Sequence, residues 1–432
     1  IPELCVSCGE CVKVCPAEAK KIRSDLSRAQ HLIQSGAKVY ASVAPSYVGY
    51  FKVISIGKLA GALKRLGFTG VSETALGAQL VSSQTAELLR KAGPGVYFSS
   101  ACPASVDFIR KYYPQWTESI LPVVSPVMAH CKLLKQMYGN DIKTIFIGPC
   151  AAKKNEADRN PDDLSLAITF AALESWLKSA GVTWESVEET ELVPSPAEEG
   201  RLYSLEGGMN ETLRAPEVDA RLVAVSGLPN IARMIEKVNM EDIKKSSTKL
   251  FVEMLACDGG CVNGPVMEKG SSRVDVMLET ASHAPRRTSV GRDVPVDIQQ
   301  YVYPDRQELP EPEEAAIKQA LEKIGKFSAE DELNCGGCGY NSCREFARAM
   351  LDGKAETSMC LSYLRKISQK TSNALIRYIP VAVVITDQNL QVLECNRNFA
   401  ELCGEDTLLA YDSCGNLNGA YLSSMIEFTD LF

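Results

Sequence analysis

The sequence predicts an α/β fold with mixed or parallel sheets, flanked by small cysteine-rich and α+β modules, and three observations carry that reading. Between about Lys38 and Asp297, short β-branched runs at 39–43, 144–147, 222–225 and 250–255 alternate with helical patterns such as 171–179. Strands that feed helices in turn are the pattern of parallel sheets with helices on their faces. Most of the 16 cysteines fall into metal-ligand spacings, and two tight groups of them lie outside the alternating body. A chain of 432 residues is also too long for one core, so two to four domains are expected.

Composition narrows the function. Lys and Arg number 46 against 54 Asp and Glu, a net charge of −8, which offers no basic field for a nucleic acid. No apolar run reaches about 18 residues and no charged-then-apolar leader opens the chain, so neither a membrane span nor a secretion signal is expected, and the cytoplasm is the expected location. The chain starts at Ile1 instead of Met, so further sequence is expected upstream. Only three histidines are present; sulfur, not imidazole, is the ligand available in quantity.

The first element, 1–35, is a cysteine-rich start followed by a helix near 27–33. Its CVSCGECVKVCP carries Cys5, Cys8, Cys11 and Cys15. Three cysteines two apart let a tight loop bring each thiolate to a different iron of a cubane, and the fourth, before Pro16, serves a neighbouring cluster in two-cluster ferredoxins. Zinc or disulfide chemistry is the alternative. A partial ferredoxin-like [4Fe-4S] domain is expected, with the missing fourth ligand upstream.

The body, 36–302, holds the dispersed cysteines. FSSACP at 98–103, GPCAAKKNE at 148–156 and EMLACDGGCVNG at 253–264 follow or adjoin predicted strands. Loops at strand ends converge on one crevice in an α/β sheet, so Cys102, Cys150, Cys257 and Cys261 are expected to meet in space. A linker follows at 303–316, with prolines at 304, 310 and 312 among acidic residues.

A four-cysteine domain is expected at 317–361, with Cys335, Cys338 and Cys343 in CGGCGYNSC and Cys360 a helix and turn later. Phe346, Ala347 and Met350, at helical spacing, would roof the site. The arrangement resembles the small cluster domain of corrinoid iron–sulfur proteins, which favours [4Fe-4S] over structural zinc. A connector helix spans 362–379, where Leu364, Ile367, Thr371, Ala374 and Tyr378 are spaced by threes and fours. That stripe suits either a dimeric coiled coil or a plain amphipathic connector. The last module, 380–432, opens with a predicted strand at 381–385, a turn at 387–389, a second strand, and a helix holding Asn396 and Phe399. It resembles the opening half of a PAS domain. Cys395, Cys403 and Cys414 are read as reduced core or surface thiols.

The three dispersed segments resemble, in order, the signatures of [FeFe] hydrogenases, written TSCCPxW, MPCxxKxxE and ExMxCxxGCxxGGGQ, and the resemblance covers roughly 38–265. SVAPSYVGYF around Ala44 and Pro45, GFTGVSETALGA at 67–78 and AVSGLPNIARMI at 224–235 support it. It implies a two-lobed H-cluster domain in which Cys102, Cys150, Cys257 and Cys261 bind a [4Fe-4S] cubane. Cys261 would also bridge to a diiron subsite with CO, CN and a bridging dithiolate. Lys153 matches the lysine that donates hydrogen bonds to a cyanide of that subsite; the alternative is a solvated surface lysine beside Lys154. Pro103 and Pro149 would shape the loops, and Glu156 fits the last position of the second signature.

Several positions depart from the catalytic pattern. Ala101 replaces the cysteine that relays protons, Ser105 the tryptophan, Gly148 and Leu255 two methionines, and GPVM at 264–267 stands for GGGQ. With the ligands and lysine retained, these changes suggest altered tuning of the cofactor. The combination resembles a sensory [FeFe] hydrogenase, splitting or forming dihydrogen slowly and reporting its redox state to the PAS module. Its implied partners are protons and dihydrogen, a redox partner such as ferredoxin, maturation proteins, a downstream signalling protein and a second copy of the chain. The rivals are an ordinary catalytic hydrogenase and a non-enzymatic, hydrogenase-like iron–sulfur assembly protein.

Overall fold

The computed structural model describes residues 3–16, 19–52, 54–239, 243, 245, 247–267, 273–306 and 312–426. Two units emerge, Pro2–Glu308 and Leu309–Phe432. The middle of the expected linker, 307–311, and the end of the C-terminal module, 427–432, lie outside the described residues.

In the first unit the alternating runs become seven strands: β1 (Val39–Val43), β2 (Gly70–Glu73), β3 (Gly95–Phe98), β4 (Lys143–Gly148), β5 (Leu166–Thr169), β6 (Arg221–Ser226) and β7 (Lys249–Leu255). They form two separate sheets, ordered β2-β1-β4-β5 and β3-β7-β6. Every pairing in them is parallel; Ala41 faces Val71 on one side and Ile145 on the other, and Phe251 lies between Tyr97 and Leu222. All five residues of β1 are buried, which is why its sequence reads as a continuous run and not as an alternation.

Helices pack around these sheets: α1 (Leu26–Gln34), α2 (Ile56–Arg65), α3 (Ala75–Lys91), α4 (Pro103–Tyr112), α5 (Pro126–Tyr138), α6 (Ala152–Arg159), α7 (Phe170–Ser179), α8 (Gly208–Leu213) and α9 (Leu228–Lys237). Ser55 Oγ accepts from Lys58 N–H to start α2, and Thr169 Oγ1 from Ala172 N–H to start α7. Both α4 and α5 open on proline, whose missing N–H costs nothing in the first turn. Gly77 lets α3 approach α5 closely: a Cβ there would lie 2.1 Å from the Pro126 carbonyl oxygen. The carboxyl ends of β1, β2, β3, β4 and β7 run into loops at 44–46, Thr74, 99–102, 149–150 and 256–261, where parallel sheets place their crevice.

The second unit contains α10 (Glu314–Lys323), α11 (Cys343–Leu351), α12 (Leu361–Tyr378), the antiparallel pair β8 (Val384–Thr386) and β9 (Val392–Cys395), α13 (Arg397–Leu402) and α14 (Glu405–Cys414). Ile317, Leu321 and Ile324 pack against Phe346 and Ala347 around the buried Cys343 and Cys360. Two expectations need correction. Helix α10 begins at Glu314, inside the expected linker, because good helix formers follow directly after Pro312. The predicted strand at 381–385 shortens to Val384–Thr386. The Asn396 side chain binds the carbonyl of Val381 and the N–H of Val383, and so takes those residues out of the ladder.

Candidate metal centre

Cys102 stands just before α4, Cys150 just after β4, and Cys257 and Cys261 follow β7, so three segments deliver the four thiols to the crevice. All four line one small cavity, and Cys102, Cys150 and Cys261 also line the adjoining one of about 90 Å³. Burial, and then the charge of Cys102, pushes the Cys150 thiol up to about 11. Cys257 and Cys261 are driven up as well, first by burial and then by neighbouring cysteines. Thiols that raise one another in this way ionise together only when cations share the space, which is what iron supplies. Among the described residues, no three His, Cys, Asp or Glu side chains converge on a single metal ion. A cubane spreads its thiolates over separate corners.

The larger cavity has mostly apolar walls, including Pro103, Val127, Phe146 and Leu255, and Lys153 is the charged residue on it. Lys153 is buried, with Nζ donating to Ser125 Oγ at 2.8 Å and Glu156 Oε2 at 2.7 Å. The solvated-lysine alternative is therefore overturned for both neighbours: Lys154 is also buried, bonded to Asp25 Oδ2 at 2.9 Å and to the Ala167 carbonyl at 2.8 Å. Consecutive lysines on α6 point into two different parts of the interior. Ser46 also lines the cavity, and its Oγ is buried without a partner among the described residues. Sequence reasoning named Ala44 and Pro45 but passed over Ser46, because a serine after a proline usually signals only a turn.

The departures from the catalytic pattern have structural counterparts. Ala101 lines the larger cavity, and Leu255 lines both cavities. A Cβ at Gly148 would lie 2.4 Å from Phe146 Cζ and 2.8 Å from Ala44 Cβ, so the Phe146 ring fills the space a methionine would need. Ser105 is fully buried and its Oγ has no partner among the described residues; nothing in the structure explains this serine. Pro265, in the stretch that replaces GGGQ, packs on Gly9: a Cβ at Gly9 would meet its ring at 2.4 Å, and Gly9 also holds a left-handed φ of +78°.

That contact seats the first cysteine loop against the crevice. Cys8 and Ser7 line the same small cavity as Cys257, and Ser7 Oγ accepts from Asn155 Nδ2 on α6. Lys111 on α4 donates to the carbonyls of Glu3 and Cys5, and Tyr112 Oη to that of Leu4. Burial raises the Cys8 thiol. Cys5 and Cys11 are exposed, Cys15 half-buried.

In the second unit, Cys335, Cys338, Cys343 and Cys360 line one cavity together. Asn334 shapes it: its N–H donates to Cys343 Sγ, and its Oδ1 accepts from Cys343 N–H at 2.8 Å. Phe346 and Ala347 are buried beneath, and Met350 packs at the edge, as the helical spacing suggested. Cys395 is buried, Cys403 half-buried and Cys414 exposed, all as free thiols.

A mostly apolar cavity with one ammonium and one orphaned hydroxyl, beside a four-thiol cavity, fits an H-cluster, and two further cysteine sets fit additional [4Fe-4S] clusters. Comparison with known proteins agrees. The chain matches the family model for the C-terminal domain of the iron-only hydrogenase large subunit over residues 37–265, a 4Fe-4S binding domain over 1–21 and an Fe-S cluster family over 331–362. Iron hydrogenase 1 of Clostridium pasteurianum is 28% identical over 328 residues, 62% of this chain and 57% of that protein. The HndD subunit of the NADP-reducing hydrogenase of Solidesulfovibrio fructosivorans is 23% identical over 60% of this chain and 55% of its own. The chain thus spans little more than half the length of these relatives. A solved [FeFe]-hydrogenase from Chlamydomonas reinhardtii superposes with a TM-score of 0.54 at 17% identity, covering 66% of this chain and all of that one, a likeness of fold. With over half of its 432 residues matched by the large-subunit model, the chain belongs to the iron-only, or [FeFe], hydrogenase family.

Proposed function

We propose that this chain is a sensory [FeFe] hydrogenase. It binds and slowly splits or forms dihydrogen at an H-cluster held by Cys102, Cys150, Cys257 and Cys261, and passes its redox state through [4Fe-4S] clusters to a PAS module at 380–432. The observation that carries this reading is Ala101. It lines the cavity beside Cys102 where the family pattern has a relay thiol, and a methyl group cannot hand on a proton.

When bound, the cofactor supplies an iron site for dihydrogen, a bridging amine that accepts a proton and a cubane that accepts electrons. The chain's own residues do the rest. Lys153, fixed by Glu156 and Ser125, presents an ammonium to the anionic ligands, and the Ser46 hydroxyl offers a second donor. Apolar walls keep water out and strengthen both interactions. The adjacency of Cys8 and Cys257 gives electrons a short exit toward a cluster on Cys5, Cys8 and Cys11, with Cys15 reaching a neighbouring one. In the second unit Cys360 immediately precedes the 18-residue α12, so a change of cluster charge acts at the head of a helix that leads to the PAS-like hairpin.

The partners are a ferredoxin-like redox protein, maturation proteins, a downstream signalling protein and a second copy pairing along α12, whose Leu364, Ile367 and Tyr378 are exposed. The location is cytoplasmic; among the described residues no helix is long and apolar enough to cross a membrane. The test is an anaerobic infrared spectrum of the purified protein supplied with the diiron subsite, read in the carbonyl and cyanide window with and without hydrogen. Bands that shift with hydrogen support the reading. Iron in cubane amounts with no bands would move the chain to the assembly-protein class.

A further inference from the structure

The buried lysines of this protein divide into two kinds. Lys153 and Lys154 pair with carboxylates, Glu156 and Asp25. Lys111 and Lys326 are equally buried but bond only backbone carbonyls among the described residues, each at the edge of a cysteine loop.

Lys326 is the sharper case. It is 6% exposed and lines the cavity that Cys335, Cys338, Cys343 and Cys360 share. Its Nζ donates to the Asp331 carbonyl at 2.6 Å. The Asp331 carboxylate itself is occupied by the N–H groups of Phe327 and Ser328, both at 3.0 Å, and by Ser328 Oγ at 3.1 Å. The local sequence places the ammonium there. Helix α10 ends at Lys323, Gly325 turns left-handed at φ +70°, and Lys326 N–H returns to the Leu321 carbonyl. That helix-terminating turn carries the next side chain back toward the cysteines.

An ammonium out of water without an anion is costly, and a cluster on four thiolates supplies the missing negative charge. The geometry assigns Lys326 as the charge partner of this cluster, a positioning residue that sets its reduction potential. One-electron reduction adds a negative charge to an already anionic cluster, so a nearby fixed cation stabilises the reduced form more than the oxidised form and raises the potential. The assignment rests on the reading that these four cysteines hold a [4Fe-4S] cluster; they lie within the 331–362 segment matched by the cluster family, and Lys326 lies outside it.

The test is a redox titration of the full chain followed by electron paramagnetic resonance, with the relevant signal identified by its loss in Cys338→Ser. Dithionite supplies the electron. Lys326→Met and Lys326→Gln should lower the reduced-to-oxidised ratio at the original midpoint about tenfold, equivalent to about 59 mV for a one-electron couple. Lys326→Arg should stay near the original, and the Gln variant keeps a donor for the Asp331 carbonyl. Loss of the signal from Met and Gln but not Arg also supports the assignment, since charge is then needed to hold the cluster. Unchanged midpoints in Met and Gln, or loss from all three variants alike, would overturn it. If the unsubstituted protein gives no Cys338-dependent signal, the cluster reading itself falls, and the assignment with it.

Discussion

Lys153 Nζ lies 2.7 Å from Glu156 Oε2, one turn along the same helix, with both side chains almost out of solvent. The pair leaves the remaining ammonium hydrogens for Ser125 and for the cavity wall it shares with Cys102 and Cys261. Glu156 is therefore an internal counter-ion, holding the cation in place whether or not anionic ligands are present. In Glu156→Gln the ammonium keeps only neutral acceptors, Ser125 and the amide oxygen, and breaking a buried ion pair costs about 3–5 kcal/mol. Chemical denaturation of the cluster-free variant should show a loss of that order, and a smaller loss once the H-cluster is loaded. Equal losses in both forms would mean that Lys153 does not face the cofactor.

Ala101→Cys restores a thiol beside Cys102 on the cavity wall. Positioned proton transfer typically contributes about 10²–10⁴-fold, so hydrogen evolution from reduced viologen should rise by at least about tenfold in the loaded variant. An unchanged rate would show that proton delivery does not limit this protein. The low-turnover reading would then lose its main support.

Stability should peak in mildly acidic solution because two buried groups pull in opposite directions. His130 sits between Ser42 and Ser72, each hydroxyl 2.8 Å from a ring nitrogen, and burial lowers it from 6.5 to about 3. The unfolded chain binds that proton first, so stability is lost as pH falls from 6.5 toward 3, by about 3 kcal/mol at pH 4. Burial raises Glu253 from 4.5 to about 7, against the N–H of Asn210 and neighbouring amides. The folded state holds that proton longer, so stability is lost as pH rises from 4.5 to 7, again by about 3 kcal/mol. Glu253→Gln should gain stability at pH 8 and not at pH 4, and His130→Gln should flatten the acid limb. Urea denaturation across pH 4–8 checks both, and parallel curves for all three proteins would sink the argument.

The cysteine sets, the parallel layering and the cavity at the strand ends were legible because each rests on local spacing or on a fold-wide rule. What stayed hidden depends on contacts between distant segments. Nothing in the KK pair at 153–154 says that one lysine meets Glu156 and the other Asp25, 129 positions away. Ser46 counts only because its hydroxyl is left unpaired once the walls close around it. Gly148 reads as a lost methionine until the Phe146 ring is seen filling the space. The short strand at Val384–Thr386 was masked in the same way, since an apolar run at 381–385 carries no sign that a side chain further on will take its backbone groups.

That side chain gives the last prediction. Asn396 is fully buried; its Oδ1 accepts from Val383 N–H at 2.9 Å and Phe399 N–H at 3.0 Å, and its Nδ2 donates to the Val381 carbonyl at 2.6 Å. One residue thus caps α13 and anchors the chain as it leaves α12, and the β8–β9 hairpin hangs on it. Asn396→Ala takes the acceptor from the part-buried Val383 amide, at about 1–3 kcal/mol, while Phe399 N–H keeps the Asn396 carbonyl at 3.1 Å and the exposed Val381 carbonyl turns to water. Asn396→Asp keeps the two acceptor bonds, loses the donor and sets a carboxylate oxygen against the Val381 carbonyl. Hydrogen exchange on the full chain should therefore show the Val383 amide losing protection in the Ala variant and largely keeping it in the Asp variant. Protection unchanged by Ala would mean that the hairpin is held by its apolar contacts around Val392 and Phe399, and a signal arriving along α12 would need another route into the module.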